Sequence, residues 1–284
     1  MNELGIIRDG ALLLQDGKVQ EMGPSRRLEN LTVARGAWEI DAAGRVVLPG
    51  FVEGRTQPLI QQARPGSAEK AARCAALASD RGTQRPAFRT AAARAQAVLA
   101  RMARHGTTTA SAVAMPALDR AAALKTLRIF AGAEGKPRSV IPALYLAPFA
   151  PGDVPAEVPA DVPVDPESEI GLLCNEWLPV IVHRNLARFV EVDCDAFELP
   201  AARRYLECAG SLGFGLRVRA GTFTASVRLA LERDAASVIL DDVPANEIVT
   251  LAGSSTAALL TPVARRANLL ALARALIDGG VAIT

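Results

Sequence analysis

Apolar residues recur along this chain in two rhythms, and the change between them divides it. Over residues 5–23 short apolar runs are broken by polar pairs, and Asp16-Gly17 separates two of them. Both residues of an Asp-Gly pair tolerate positive φ, so the spacing predicts a tight β-hairpin. Glu39-Ile40 leads to a further turn at Ala43-Gly44, and Val46–Val52 reads as a buried strand interrupted by Pro49-Gly50. Beyond this small β unit the chain alternates. β-like runs at 107–113, 139–146, 189–194, 215–219, 237–240, 257–261 and 281–284 are separated by stretches of helical period at 67–79, 87–104, 118–131, 167–184, 199–212, 224–233 and 264–278. With 46–52 that makes eight strands alternating with helices, the pattern of a (β/α)8 barrel in the α/β class. The prolines at 151, 155, 159, 163 and 166 break the rhythm and predict an extended, solvated loop.

Bulk properties narrow the picture. A chain of 284 residues, half of them hydrophobic, buries a large core without difficulty. Lys+Arg 32 against Asp+Glu 30 leaves +2, which argues against a nucleic-acid partner, because binding a phosphate backbone needs clustered positive charge. No apolar run reaches membrane-spanning length and no signal-peptide pattern opens the chain, so no membrane partner and a cytoplasmic location are expected. The four cysteines (Cys74, Cys174, Cys194, Cys208) show no CxxC spacing and read as reduced thiols. Only two histidines occur, His105 and His183, whereas a hydrolase built on histidine-ligated metal usually needs about three.

The run Asp41-Ala-Ala-Gly-Arg-Val-Val-Leu-Pro-Gly-Phe-Val-Glu-Gly-Arg-Thr-Gln57 resembles the start of an amidohydrolase barrel, D-x-x-G-x-x-V-x-P-G-F-V-D-x-H-x-H. Within that superfamily the chain is most similar to imidazolonepropionase, the histidine-degradation enzyme that hydrolyses a cyclic amide. His105-Gly-Thr-Thr-Thr109 resembles its H-G-V-T-T strand start. Asn175-Glu-Trp-Leu-Pro179 and Phe189–Phe197 resemble its E-x-L-P … D-V-F-C-E-x-G-A-F run. Ala201–Phe214, Leu260-Thr-Pro262 and Leu276–Thr284 extend the likeness over nearly the whole chain. The resemblance implies a TIM-like metal-dependent-hydrolase barrel over 49–284, ending at strand eight without the closing helix, and a partial β-sandwich over 1–48. The family completes that sandwich with residues after the barrel, so a homodimer or a partner chain is expected to cover its strand edges.

The positions that carry the family's chemistry differ. Family metal sites use two strand-one histidines, one on strand five and an aspartate after strand eight, holding zinc or iron. The matching positions here are Arg55, Gln57 and Arg219, and Thr284 stands where the strand-eight T-D begins. The strand-six D-H falls on Ile239-Leu240, the E-x-K-S-G-Y on Ser111–Pro116, and the G-A-H on Ala147-Pro148-Phe149. Guanidinium stays protonated and offers no lone pair to a metal. The resemblance therefore implies an imidazolonepropionase-like protein with no metal cofactor, no catalytic residue and no hydrolysis. Arg55 and Arg219 are expected to pair with Glu53, Asp241 or Asp242. Two alternatives stand beside this: an active hydrolase of cyclic amide C–N bonds, and a small-carboxylate binding module using Arg55, Arg64 and Arg219, with Arg64 at the family's substrate-anchoring G-x-R position.

Overall fold

The computed structural model describes residues 5–59, 85–114, 120–133, 139–146, 166–194, 197–260 and 269–284. The helix expected at 67–79, the proline-rich stretch up to 165, Arg64, Cys74 and Asp195 lie outside the described residues. The chain forms two compact units, Met1–Pro49 and Gly50–Thr284.

In the first unit β1 (Gly10–Gln15) and β2 (Lys18–Pro24) pair antiparallel, with Gln15 opposite Lys18. The two-residue turn is Asp16-Gly17, at φ 52° and 74°, as the Asp-Gly signal requires. A one-turn helix, α1 (Ser25–Glu29), follows, and residues 35–49 form no regular element.

The second unit is a parallel seven-stranded sheet in strict chain order: β3 (Phe51–Thr56), β4 (Thr107–Ala114), β5 (Ser139–Leu146), β6 (Phe189–Asp193), β7 (Gly215–Ala220), β8 (Ser237–Leu240) and β9 (Ala257–Leu259). Helices alternate with the strands: α2 (Arg85–Arg104), α3 (Arg120–Ala131), α4 (Pro166–Leu172), α5 (Leu178–His183), α6 (Leu199–Ser211), α7 (Ala225–Glu232), α8 (Ile248–Ala252) and α9 (Leu269–Asp278). The eighth strand of the expected pattern is reduced to one parallel bridge, Ala258 with Ile283, supported by Thr284 N–H donating to the Ala258 carbonyl at 3.0 Å. Closure brings it against the first strand. A Cβ on Gly54 would meet Leu259 Cδ1 and Thr284 Oγ1 at 2.9 Å, so the close approach needs glycine there. This is the nearly closed barrel that the sequence pattern predicts.

One boundary moved. The first barrel strand starts after Pro49-Gly50 rather than running through them, and Phe51 N–H opens it by donating to Gly106 O at 2.9 Å. Proline has no N–H for a parallel ladder, so the strand begins beyond it.

Strand parity sorts the core. Ala110, Ala112, Ala114, Val140, Leu144, Val190, Val192, Val218, Val238 and Ala258 pack in the layer that includes helix residues Leu127, Leu178, Leu206 and Leu229. Residues of opposite parity make a separate apolar cluster of Val113, Ala143 and Tyr145 with Phe189. A barrel interior is ordinarily filled by branched aliphatic layers. Here Glu191, Arg217 and Ser111 are buried on that same inward parity.

Candidate functional site at the barrel mouth

Neighbouring strands β6 and β7 carry charge with a period of two, Glu191 and Asp193 on one, Arg217 and Arg219 on the other. Their parallel register sets Glu191 opposite Arg217 and Asp193 opposite Arg219. Successive side chains on a strand point to opposite faces, so all four share the inner face. Arg55, one residue before the end of β3, completes the group from the other side of the barrel.

The deepest layer is built round Glu191, which is fully buried. Arg55 Nε donates to Glu191 Oε1 at 2.7 Å, with the Arg55 side chain only 10 % exposed. Arg217 Nη1 donates to Gly54 O at 2.9 Å and to Ser111 Oγ at 2.8 Å, and its guanidinium lies 4.1 Å from the Phe189 ring centre. A desolvated cation over an aromatic face is worth roughly 2 kcal/mol. Burial pushes the Glu191 carboxyl above its ordinary value, against the pull of Arg55, Arg217 and Arg219. Burial likewise holds Arg217 below its usual value, opposed by Glu191. Glu191 Oε2 has no hydrogen-bond partner.

The upper layer is wetter. Tyr145 donates its hydroxyl to Asp193 Oδ2 at 2.8 Å, and Arg219 Nε faces the same oxygen at 3.4 Å. Burial first, then the Asp193 charge and hydrogen bond, keep the Tyr145 phenol protonated well above its usual range. Arg55 also lies over the Tyr145 ring, 5.3 Å from its centre, which links the two layers.

The expected carboxylate partners are corrected accordingly. Arg55 pairs with Glu191 rather than Glu53, and the Glu53 carboxylate instead accepts the Arg55 backbone N–H at 3.3 Å. Arg219 faces Asp193, whereas Asp241 or Asp242 was expected. The reason is register: a same-face residue on the adjacent strand is nearer than one beyond the strand end. Gln57 follows β3 and is half-buried. Neither histidine joins the group; His105 follows α2, His183 ends α5, and both are exposed. Glu191, Asp193, Tyr145, Ser111 and Arg217 were not singled out as site residues from the sequence. Glu-x-Asp at 191 and 193 beside Arg-x-Arg at 217 and 219, on consecutive strands, is the signal that could have found the charged ones; Tyr145 and Ser111 carry no such signal.

The donor set does not fit a divalent cation. Arg55 and Arg219 are fixed positive charges without lone pairs, and among the described residues no three His, Cys, Asp or Glu side chains come together as a metal site would need.

The chain is similar to known proteins over nearly its whole length. The chain is 32 % identical to the imidazolonepropionase of Chloroflexus aggregans over 308 aligned positions, covering 100 % of this chain and 71 % of that protein. The chain belongs to the imidazolonepropionase family. The imidazolonepropionase of Solibacter usitatus is 31 % identical over 89 % of this chain, which spans 62 % of that relative's length. No family model matches the sequence. Among solved structures, zinc-bound atrazine chlorohydrolase from Arthrobacter aurescens superposes with TM-score 0.61 at 16 % identity, over 96 % of this chain and 65 % of that one. Escherichia coli guanine deaminase superposes with TM-score 0.55 at 12 % identity, over 96 % and 66 %. These likenesses carry the amidohydrolase barrel. No helix of this imidazolonepropionase homologue is long and apolar enough, among the described residues, to cross a membrane.

Proposed function

We propose that this chain is a catalytically inactive member of the imidazolonepropionase family, a barrel whose metal site has been replaced by ion pairs. The observation that carries the reading is the pairing of Arg55 with Glu191 and of Arg219 with Asp193, at two positions where the resemblance puts metal-ligating histidines. Hydrolysis of an unactivated amide near neutral pH draws on a metal to lower the pKa of water and polarise the carbonyl. Fixed guanidiniums repel such a cation and bind the carboxylates that could have served it. The test is elemental analysis of the purified chain, with an assay of imidazolone propionate hydrolysis in added zinc or iron. Substoichiometric metal and no turnover are expected; one bound metal per chain, or turnover, refutes the reading in favour of a working cyclic-amide hydrolase.

A second reading, a small-carboxylate binding module, is favoured by one observation. Within the described barrel interior three guanidiniums (Arg55, Arg217, Arg219) face two carboxylates (Glu191, Asp193), and Arg219 is 35 % exposed. The surplus charge suits a bidentate anion, with Arg64 added on the resemblance alone. Thermal stabilisation by members of a carboxylate panel, lost in Arg219→Ala, is the expected result; no shift with any of them ends it.

For partners the proposal is a second copy or another chain over residues 1–49, where Leu14, Val19, Trp38, Ile40 and Val46 are exposed. Light scattering on the purified chain measures it.

A further inference from the structure

Away from the barrel mouth, the helical stretch from Pro166 to His183 is not uniform. Leu173–Trp177, between α4 and α5, is a π-helical turn, and it carries Cys174. Such turns are rare inside α-helices and occur frequently at functional sites. Here Cys174 comes to the same hollow as a second thiol, Cys208 on α6. Both cysteines are free and half-buried. They line one open surface hollow of about 520 Å³ together with Glu167, Ser168, Ile170, Gly171 and Arg204, so small solutes reach the sulfurs.

A third group points to chemistry at this place. Tyr205, three residues before Cys208 on the same helix, is fully buried, and its hydroxyl has no hydrogen-bond partner. An unsatisfied buried hydroxyl costs about 1–3 kcal/mol, so it calls for a reason. An oxygen placed on one of these sulfurs would give it a partner.

We propose that Cys174 and Cys208 form a reversible redox couple, oxidised by hydroperoxides to a disulfide that ties the π-helical turn to α6. Cys208 attacks the peroxide; its sulfur bonds to one oxygen, the O–O bond breaks, and the displaced oxygen leaves as water or alcohol carrying the thiol proton. The product is a sulfenic acid on the helix face that Cys208 shares with Tyr205. Cys174 then attacks the sulfenic sulfur, the S–O bond breaks, and the hydroxide leaves as water with the Cys174 proton. Two thiols thus give two electrons to one O–O bond. The roles follow from environment. Burial, together with the neighbouring Cys208, pushes the Cys174 thiol up to about 12, which makes it unsuited to be the first nucleophile.

The test treats the intact chain with hydrogen peroxide and maps peptides by mass spectrometry without reduction. Expected is a Cys174–Cys208 linkage two hydrogens lighter than the dithiol, reversed by dithiothreitol, with Cys194 still alkylatable. In Cys174→Ser, Cys208 should accumulate a dimedone-reactive sulfenic acid, and Tyr205→Phe should lower its yield. Both thiols remaining alkylatable after oxidation, or linkage to another cysteine, overturns the proposal. The wild-type map decides this even where a variant fails to fold.

Discussion

Replacing Arg55 with methionine tests the ion-pair layer most directly. Methionine keeps much of the arginine stem's bulk over the Tyr145 ring and removes the cation that holds Glu191 at 2.7 Å. Removing one partner of a buried pair typically costs about 3–5 kcal/mol. Arg217 stays close enough to attract Glu191, so the lower end applies, about 3 kcal/mol. For a unit of this size that is a fall in Tm of roughly 6–12 °C. The pH dependence is the sharper part. The folded-state pKa of Glu191 is raised above its ordinary 4.5 by burial, so the stability it contributes is full below that value and is lost as pH rises through the folded pKa. Without Arg55 the opposing pull weakens and the folded pKa climbs further. The Arg55→Met penalty should therefore be small near pH 4.5 and grow toward alkaline pH. Glu191→Gln, a stand-in for the protonated acid, should recover part of the loss at about pH 8 and none at about pH 5. Thermal melts of wild type, Arg55→Met and the double variant measure all of this. A penalty that is flat with pH, or no recovery by Glu191→Gln at alkaline pH, refutes the reasoning.

Three smaller changes probe the surroundings. Tyr145→Phe removes the 2.8 Å hydrogen bond to Asp193 and should cost about 1.5–3 kcal/mol in a denaturant melt. Gly54→Ala drives a methyl to within 2.9 Å of Leu259 and Thr284 at the barrel seam, with an expected loss of about 1–3 kcal/mol by the same measurement. Glu169 is held up at about 7 by burial, so its favourable contribution is full below its ordinary 4.5 and is lost as pH rises through about 7; Glu169→Gln should melt with wild type at acid pH and above it at alkaline pH.

How much of this was legible follows from what each pattern encodes. The alternation of apolar runs with helical periods carried the barrel, because β4 to β9 are buried strands whose composition leaves few alternatives. Strand one shifted past Pro49-Gly50 because periodicity sees side chains, while the strand start is decided by backbone donors. The eighth strand, apolar in sequence, keeps one bridge. The Arg55 and Arg219 positions came from the motif, but not what they touch. Glu191 and Asp193 read as ordinary polar residues until register set them against Arg217 and Arg219. The π-helical turn was invisible, since Leu173–Trp177 has no composition that distinguishes it from α-helix. So was the meeting of Cys174 with Cys208, which depends on two helices packing.

On the proposed reading, the ion pairs of the inner face let such a barrel persist without a metal. Two carboxylates at its centre and rim need compensating cations, since an isolated buried carboxylate costs several kcal/mol. In a metal-dependent barrel a divalent ion can supply two positive charges; here Arg55 and Arg219 place two in covalent attachment to β3 and β7. A metal that binds only the folded state stabilises it by RT ln(1 + [L]/Kd), and that gain disappears when a chelator removes it. A guanidinium fixed to the chain cannot be extracted. If the arginines have taken over the electrostatic role of the cation, the melting temperature is the same with and without a strong chelator, and unchanged by added zinc. A chelator-induced fall of even a few degrees means that some carboxylate still depends on a metal, and the ion pairs described here are then not its replacement.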